Sequence, residues 1–251
     1  MGATGTNGTT ARHDGGRIEA LLLDSGGVLM QPIGGRWHPR ADFEANVLAH
    51  AAGVTPEGFA RGFAAGERFF TASTETPDLD DYHRAVLAEM GVPATPELLA
   101  DLVRPVPPEV VLETFPDVPG TLGEMRRRGV RMAVVSDAWP NLPELHAGLG
   151  IGEFFESHTI SAVLGCRKPD PRMYAHASDA LGLHPARCLF VDDDPELVAA
   201  AIALGYAGRA LLRDGSAPAP TDVVCANGVS VPCITSLAEL LELPELVGAH
   251  G

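Results

Sequence analysis

The stretch Ala20-Leu21-Leu22-Leu23-Asp24-Ser25-Gly26-Gly27-Val28-Leu29 runs four apolar residues into a carboxylate and then into a pair of glycines. Four consecutive apolar residues fit a strand buried on both faces, as in a parallel sheet. In open α/β sheets ligands bind outside the carboxyl ends of such strands, which predicts Asp24 at a reaction centre. Asp followed by Ser-Gly-Gly is also ordinary turn chemistry. A second run decides between the two: in Cys188-Leu189-Phe190-Val191-Asp192-Asp193-Asp194-Pro195 three successive acids again follow an apolar strand. Clustered carboxylates repel unless a cation joins them. Mg²⁺, bound through one or two carboxylates plus a substrate phosphate, meets that need.

Working outward, the pattern from Val130 alternates strands and helices. Val130 to Val135, Cys188 to Val191 and Arg209 to Leu212 are predicted strands. Helical spacing marks Gly120 to Arg128, Pro143 to Leu149, Pro171 to Leu181 and Pro195 to Leu204. Repeated βα order predicts an α/β fold with a doubly wound parallel sheet. Asp170-Pro171 and Asp194-Pro195 each place a capping acid before a proline at the first helical position, and Gly182 and Gly205 follow the helix ends. Capping gives Asp194 a structural role and leaves Asp192 and Asp193 as the candidate ligands.

Between Pro32 and about Pro116 the strand signals vanish. Ala41 to Ala52, Pro56 to Phe70, Asp80 to Met90 and Pro96 to Val103 read as helices. The expected organisation is a flexible leader over 1–17, an α/β core over 18–33 and 116–251, and a smaller α-helical cap over 34–115. A helical lid above the reactive end of a sheet would exclude water and select substrates. Beyond Leu212, Asp214 to Thr221 has the composition of a surface loop, followed by a predicted hairpin at Asn227-Gly228 and a closing helix from Ser236 to Leu243. That turn would set Cys225 opposite Ser230 and Cys233 opposite Asp222. Free thiols are therefore expected at Cys166, Cys188, Cys225 and Cys233.

The chain has 251 residues, 45% hydrophobic and 20% charged, which is enough to bury a sizeable core. No apolar stretch is long enough to span a bilayer. Eighteen basic against 33 acidic residues give a formal charge of -15, which argues against a nucleic-acid surface or an anionic membrane as partner. Residues 1–10 lack the apolar segment of a signal peptide, so the expected location is cytoplasmic. Nothing in composition or spacing bears on the oligomeric state.

Four groups follow in chain order: Asp24, Ser136-Asp137 at a strand end, Lys168 in Gly165-Cys166-Arg167-Lys168-Pro169-Asp170, and Asp192-Asp193. Phosphoryl transfer to a carboxylate needs such a set: a nucleophile, a hydroxyl for a phosphate oxygen, a lysine to offset charge, and acids to fix a metal. This order resembles the haloacid dehalogenase superfamily over about Ile18 to Leu212, with Leu22 to Leu29, Val134 to Asp137, Arg167 to Pro171 and Phe190 to Pro195 as its four motifs. The resemblance implies a Rossmann-like core, a helical cap inserted after the first motif, and a Mg²⁺-dependent phosphatase acting through an aspartyl-phosphate on a small phosphorylated substrate. It also implies roles for single residues. Asp24 is the expected nucleophile, Ser136 the phosphate-binding hydroxyl, and Lys168 the cation steadying nucleophile and phosphoryl group. The expected Mg²⁺ ligands are Asp24, the Gly26 carbonyl, Asp192 and Asp193.

The chain departs from the family pattern two residues after the nucleophile. Family phosphatases usually carry a second Asp there as general acid and base, and this chain has Gly26. Losing general acid-base help typically costs about 10²–10⁴-fold in rate. Three outcomes fit: a phosphatase for substrates with good leaving groups, a phosphatase using another acid such as Asp137, or a silent binding or regulatory protein. The dehalogenase branch also lacks the second Asp, but a metal-free site attacking anionic haloacids gains nothing from acids stacked beside its nucleophile. Arg36, Trp37, His38 and Arg40 follow the first motif and are candidates to face the cleft, but the arginines and His38 are read as solvated and Trp37 as packing.

Overall fold

The structure is a computed structural model that describes residues 17–73, 75–213 and 221–246, so nearly all of the predicted leader and most of the 214–221 loop lie outside the described residues. The chain opens with β1 (Ala20–Leu23) and β2 (Met30–Pro32). Four helices follow, α1 (Phe43–His50), α2 (Pro56–Ala72), α3 (Leu79–Met90) and α4 (Pro96–Val103), then a short α5 (Pro108–Val111) leading into β3 (Leu112–Thr114). The remainder alternates: α6 (Val118–Arg127), β4 (Arg131–Ser136), α7 (Leu142–Gly148), β5 (Ser157–Ile160), α8 (Ser161–Leu164), α9 (Pro171–Ala180), β6 (Cys188–Asp192), α10 (Pro195–Ala203) and β7 (Ala207–Leu211). It closes with β8 (Asp222–Val224), β9 (Ser230–Ile234) and a 3₁₀ turn over Leu237–Glu242.

A seven-stranded sheet runs in the order β5-β4-β1-β6-β7-β9-β8, parallel throughout except where β8 meets β9. β1 is central because all four of its residues are apolar and fully buried. Leu21 and Leu23 face one side, packing with Val118, Leu122 and Met125 of α6. Ala20 and Leu22 face the other, with Met173 and Tyr174 of α9 and Val198 and Ala199 of α10. Helices on both faces make this the doubly wound α/β architecture that the βα alternation predicts.

Local chemistry fixes the helix ends. The Asp170 carboxylate accepts from the N–H of Arg172 at 2.9 Å, and that of Asp194 from the N–H of Glu196 at 2.8 Å, so both predicted caps form. Helices α1 to α4 pack around a separate core that includes Phe43, Val47, Tyr82, Val86 and Leu98. Both ends of this helical insert leave the main sheet through a two-stranded antiparallel ladder, with Met30 opposite Thr114 and Pro32 opposite Leu112.

Two expectations need correction. The main sheet is wider than the four apolar runs predict, because β5 and both arms of the predicted hairpin, β8 and β9, also join it. The hairpin register is shifted by one residue: Val224, not Cys225, pairs with Ser230, and Cys233 donates its N–H to Thr221. Gly228, at φ 78°, takes the left-handed position of a longer turn in which Cys225 bonds Val229, and this extra residue moves the register. All four cysteines are free.

Candidate active site

Parallel registry brings the acids together. Leu23 is level with Val134 of β4 and Val191 of β6, and the Asp24 N–H donates to the Val191 carbonyl at 2.9 Å, so Asp24 leaves the sheet beside Asp192. Oxygen atoms of Asp24, Asp192 and Asp193 all lie within 4.8 Å of one another. Lys168 enters from the loop between α8 and α9, and its Nζ donates to Asp24 Oδ1 at 2.7 Å and Asp192 Oδ2 at 2.6 Å. Burial alone would lower the pKa of this ammonium, but the charges of Asp24 and Asp192 outweigh it and hold Lys168 above the usual lysine range. Asp192 and Asp193 are both raised, by burial first and then by neighbouring negative charge. Three carboxylates around one ammonium leave negative charge in excess, the electrostatic condition that a hard divalent cation relieves.

Ser136, buried at the end of β4, stands on the strand beside β1, but its hydroxyl contacts none of these charged groups among the described residues. Asp137 anchors the lysine loop: its Oδ1 accepts the Lys168 backbone N–H at 3.1 Å, and its Oδ2 lies 3.6 Å from Arg167 Nε. Burial raises the Asp137 pKa, with Lys168 and Arg167 opposing.

The glycine pair has two distinct reasons. Gly27 has φ 75°, and a Cβ there would lie 2.2 Å from Asp193 Oδ2, so only glycine lets the bend pass beneath that carboxylate. Gly26 lies under Trp37, whose Cζ2 would be 3.1 Å from an added Cβ. Arg213 holds the same bend from outside. It donates to the carbonyls of Gly27 at 3.2 Å and Val28 at 2.8 Å while pairing with Asp117 at 3.0 Å.

Two groups escaped the sequence reading. Ser25 Oγ lies 2.8 Å from His146 Nε2, and His146 Nδ1 lies 3.0 Å from His158 Nε2, tying the residue after Asp24 to α7 and β5. Burial, helped by His158, pushes His146 down to about 3. The second group is aromatic. His38 packs against Trp139 at 4.6 Å and Phe70 at 5.3 Å between ring centroids, and Trp139 Nε1 donates to the Pro77 carbonyl at 2.8 Å. Trp37 and His38 therefore belong to the seam between insert and sheet. Arg36 and Arg40, expected to be solvated, are half-buried instead, Arg36 4.1 Å over the Phe63 ring and Arg40 paired with Asp42. The only sequence signal for the seam is the flexible Gly34-Gly35 step before it.

A family model described as haloacid dehalogenase-like hydrolase matches residues 18–205, which takes in all of the clustered acids and Lys168. The chain belongs to the haloacid dehalogenase-like hydrolases. Within that family it is similar to a phosphoserine phosphatase of Thermus thermophilus, 35% identical over 83 residues that cover 33% of each chain. It is also similar to an (S)-2-haloacid dehalogenase of a Pseudomonas species, 38% identical over 87 residues, 33% of this chain and 36% of that one. The chain thus spans about a third of the length of these curated relatives. The crystal structure of a HAD phosphatase from Thermococcus onnurineus shares the fold with a TM-score of 0.57 at 19% identity, covering 90% of this chain and 97% of the other. Among haloacid dehalogenase-like hydrolases, phosphatases and dehalogenases are thus both represented. No helix among the described residues is long and apolar enough to cross a membrane.

Proposed function

We propose that the protein is a Mg²⁺-dependent phosphatase for a small phosphorylated metabolite, with Asp24 as nucleophile and an aspartyl-phosphate intermediate. The observation that carries this reading is the convergence of Asp24, Asp192 and Asp193, two of them bridged by the buried ammonium of Lys168. Their all-oxygen donor set suits Mg²⁺, which Asp24, Asp192, Asp193 and the Gly26 carbonyl would hold. When bound, the ion would neutralise phosphate charge and offset the excess of carboxylates.

The chain's own residues supply the rest. Lys168, in contact with Asp24, adds positive charge where a phosphoryl group is transferred. Ser136 supplies a hydroxyl to a phosphate oxygen from the neighbouring strand end. The helical insert serves as the cap, and its aromatic seam shields the site from water. Asp137 positions Lys168, since its oxygens are taken up by the lysine loop.

A catalytically silent protein is the second reading, and Gly26 is the observation that favours it. Phosphate release from a panel of phosphorylated metabolites, with Mg²⁺ and with chelator, separates the two. Metal-dependent release that falls at least about 10⁴-fold in Asp24→Asn supports the phosphatase. Release that survives Asp24→Asn overturns the covalent route, absence of release with every ester leaves the silent protein, and chloride release from 2-haloacids that persists in chelator assigns a dehalogenase.

A further inference from the structure

The space above Gly26, from which family phosphatases hand a proton to the leaving group, is filled by an indole. An added Cβ at Gly26 would meet Trp37 Cζ2 at 3.1 Å and Cη2 at 3.4 Å, so the six-membered edge of the ring lies against the backbone two residues past Asp24. Trp37 is nevertheless 42% exposed, which leaves much of the ring free to meet a ligand. Its neighbour His38 extends the surface to Trp139, which its hydrogen bond to Pro77 fixes in place. Burial, reinforced by His83, pushes His38 down to about 4, so this wall carries no imidazolium at neutral pH. The leaving-group side therefore combines a missing acid with an aromatic platform.

We infer that Trp37 determines specificity and selects aryl phosphates, whose leaving group stacks on the indole and departs unprotonated. The inference rests on the phosphatase reading above. In the first step an Asp24 carboxylate oxygen bonds to phosphorus as the bond from phosphorus to the phenolic oxygen breaks, its electron pair leaving on the phenolate. In the second, water attacks phosphorus, the bond to Asp24 breaks, and both hydrogens of the water leave on dihydrogen phosphate. Neither step needs a side-chain acid. A phenolate corresponds to a pKa of about 10, whereas an alkoxide lies near the ~15.7 of water, so the lost acid weighs on alkyl esters and hardly on aryl ones.

The test measures kcat and KM of the full chain with Mg²⁺ on ring-substituted phenyl phosphates of graded phenol pKa and on glycerol phosphate. Aryl esters should exceed glycerol phosphate at least ~100-fold in kcat/KM, the scale of a missing general acid. Trp37→Ala should lower kcat/KM for phenyl phosphate about 3- to 10-fold, carried by KM, and Trp37→Phe should recover most of it. Gly26→Asp should gain no alkyl turnover alone but gain it with Trp37→Ala, and a thermal melt of each variant checks folding. Equal turnover of aryl and alkyl esters, or a KM indifferent to Trp37→Ala in a folded protein, overturns the inference and leaves the phosphatase standing. Turnover of neither class above the Asp24→Asn blank overturns both.

Discussion

The carboxylate end of the sheet and the aromatic seam of the helical insert lie side by side and are built in opposite ways. At the sheet end, Asp24 and Asp192 are fixed by the backbone registry of β1 and β6, and Lys168 bridges them. In the seam, His38, Phe70 and Trp139 come from separate segments that no strand ladder joins, and ring packing with the Trp139 hydrogen bond to Pro77 sets their arrangement. The groups proposed to form and break bonds thus adjoin paired strands, which resist small displacements. Groups that would meet the rest of a substrate sit where a substitution shifts one ring and little else.

The sharpest way to break this contrast is Lys168→Ala. Removing one partner of a buried ion pair costs about 3–5 kcal/mol, and here it leaves Asp24 and Asp192 facing each other in a site with Asp193. Urea denaturation should show that loss, with added Mg²⁺ recovering part of it through binding to the folded state. A variant as stable as the parent would mean the sheet end is not held by charge pairing.

Acid comes next. Burial, opposed by Asp80 and the Leu79 carbonyl and reinforced by Arg40, pushes His83 in the insert down to about 4 from 6.5. The unfolded chain therefore binds more protons between those values, so stability is full above pH 6.5 and falls as pH drops towards 4, by on the order of 3 kcal/mol for this residue. His146, in the sheet domain, adds its own loss over a similar window. Thermal melts from pH 7 to 4 should fall steeply, and His83→Phe should flatten only the share of that residue. An acid profile unchanged by His83→Phe would place the sensitivity on His146 and on His38 of the seam.

Trp139→Phe gives the smallest effect. It removes the hydrogen bond to the Pro77 carbonyl and keeps a ring against His38, for a loss of about 1 kcal/mol. Stability and Mg²⁺ binding measured on the same variant would show whether the seam can loosen while the carboxylates stay in place. A loss of metal affinity would mean the two regions are coupled.

The sheet end was legible because each of its groups terminates or adjoins a contiguous signal: Asp24 and Asp192 end apolar runs, and Lys168 stands in a short loop before a capped helix. The insert's helices were legible as four helical segments, and the structure caps three of them with Thr55, Asp78 and Thr95. The edge strand β5 was not: Ser157–Ile160 carries three polar residues, as an edge strand with one free flank can. The hairpin turn at Asn227-Gly228 was legible, but the pairing of its second arm with β7 was not, because Pro232 within Ser230–Ile234 reads against an inner strand. Contacts between distant residues left no periodic trace either. Ser25 meets His146 across 121 residues, and Trp37 covers Gly26 only because the chain turns at Gly34 and Gly35.

The three-pair ladder of β2 and β3 has a consequence for how such a protein can diversify. It joins the chain on either side of residues 33–111, so that stretch leaves and returns through two adjacent strands regardless of what lies between them. Closing a longer loop is entropically mild, about 0.6 kcal/mol for each doubling of length. A different insert could therefore be spliced between Pro32 and Leu112 with the central strands undisturbed. The ladder works as a socket: it would let recombination exchange the helical insert while the sheet end that carries Asp24 and Asp192 is inherited intact.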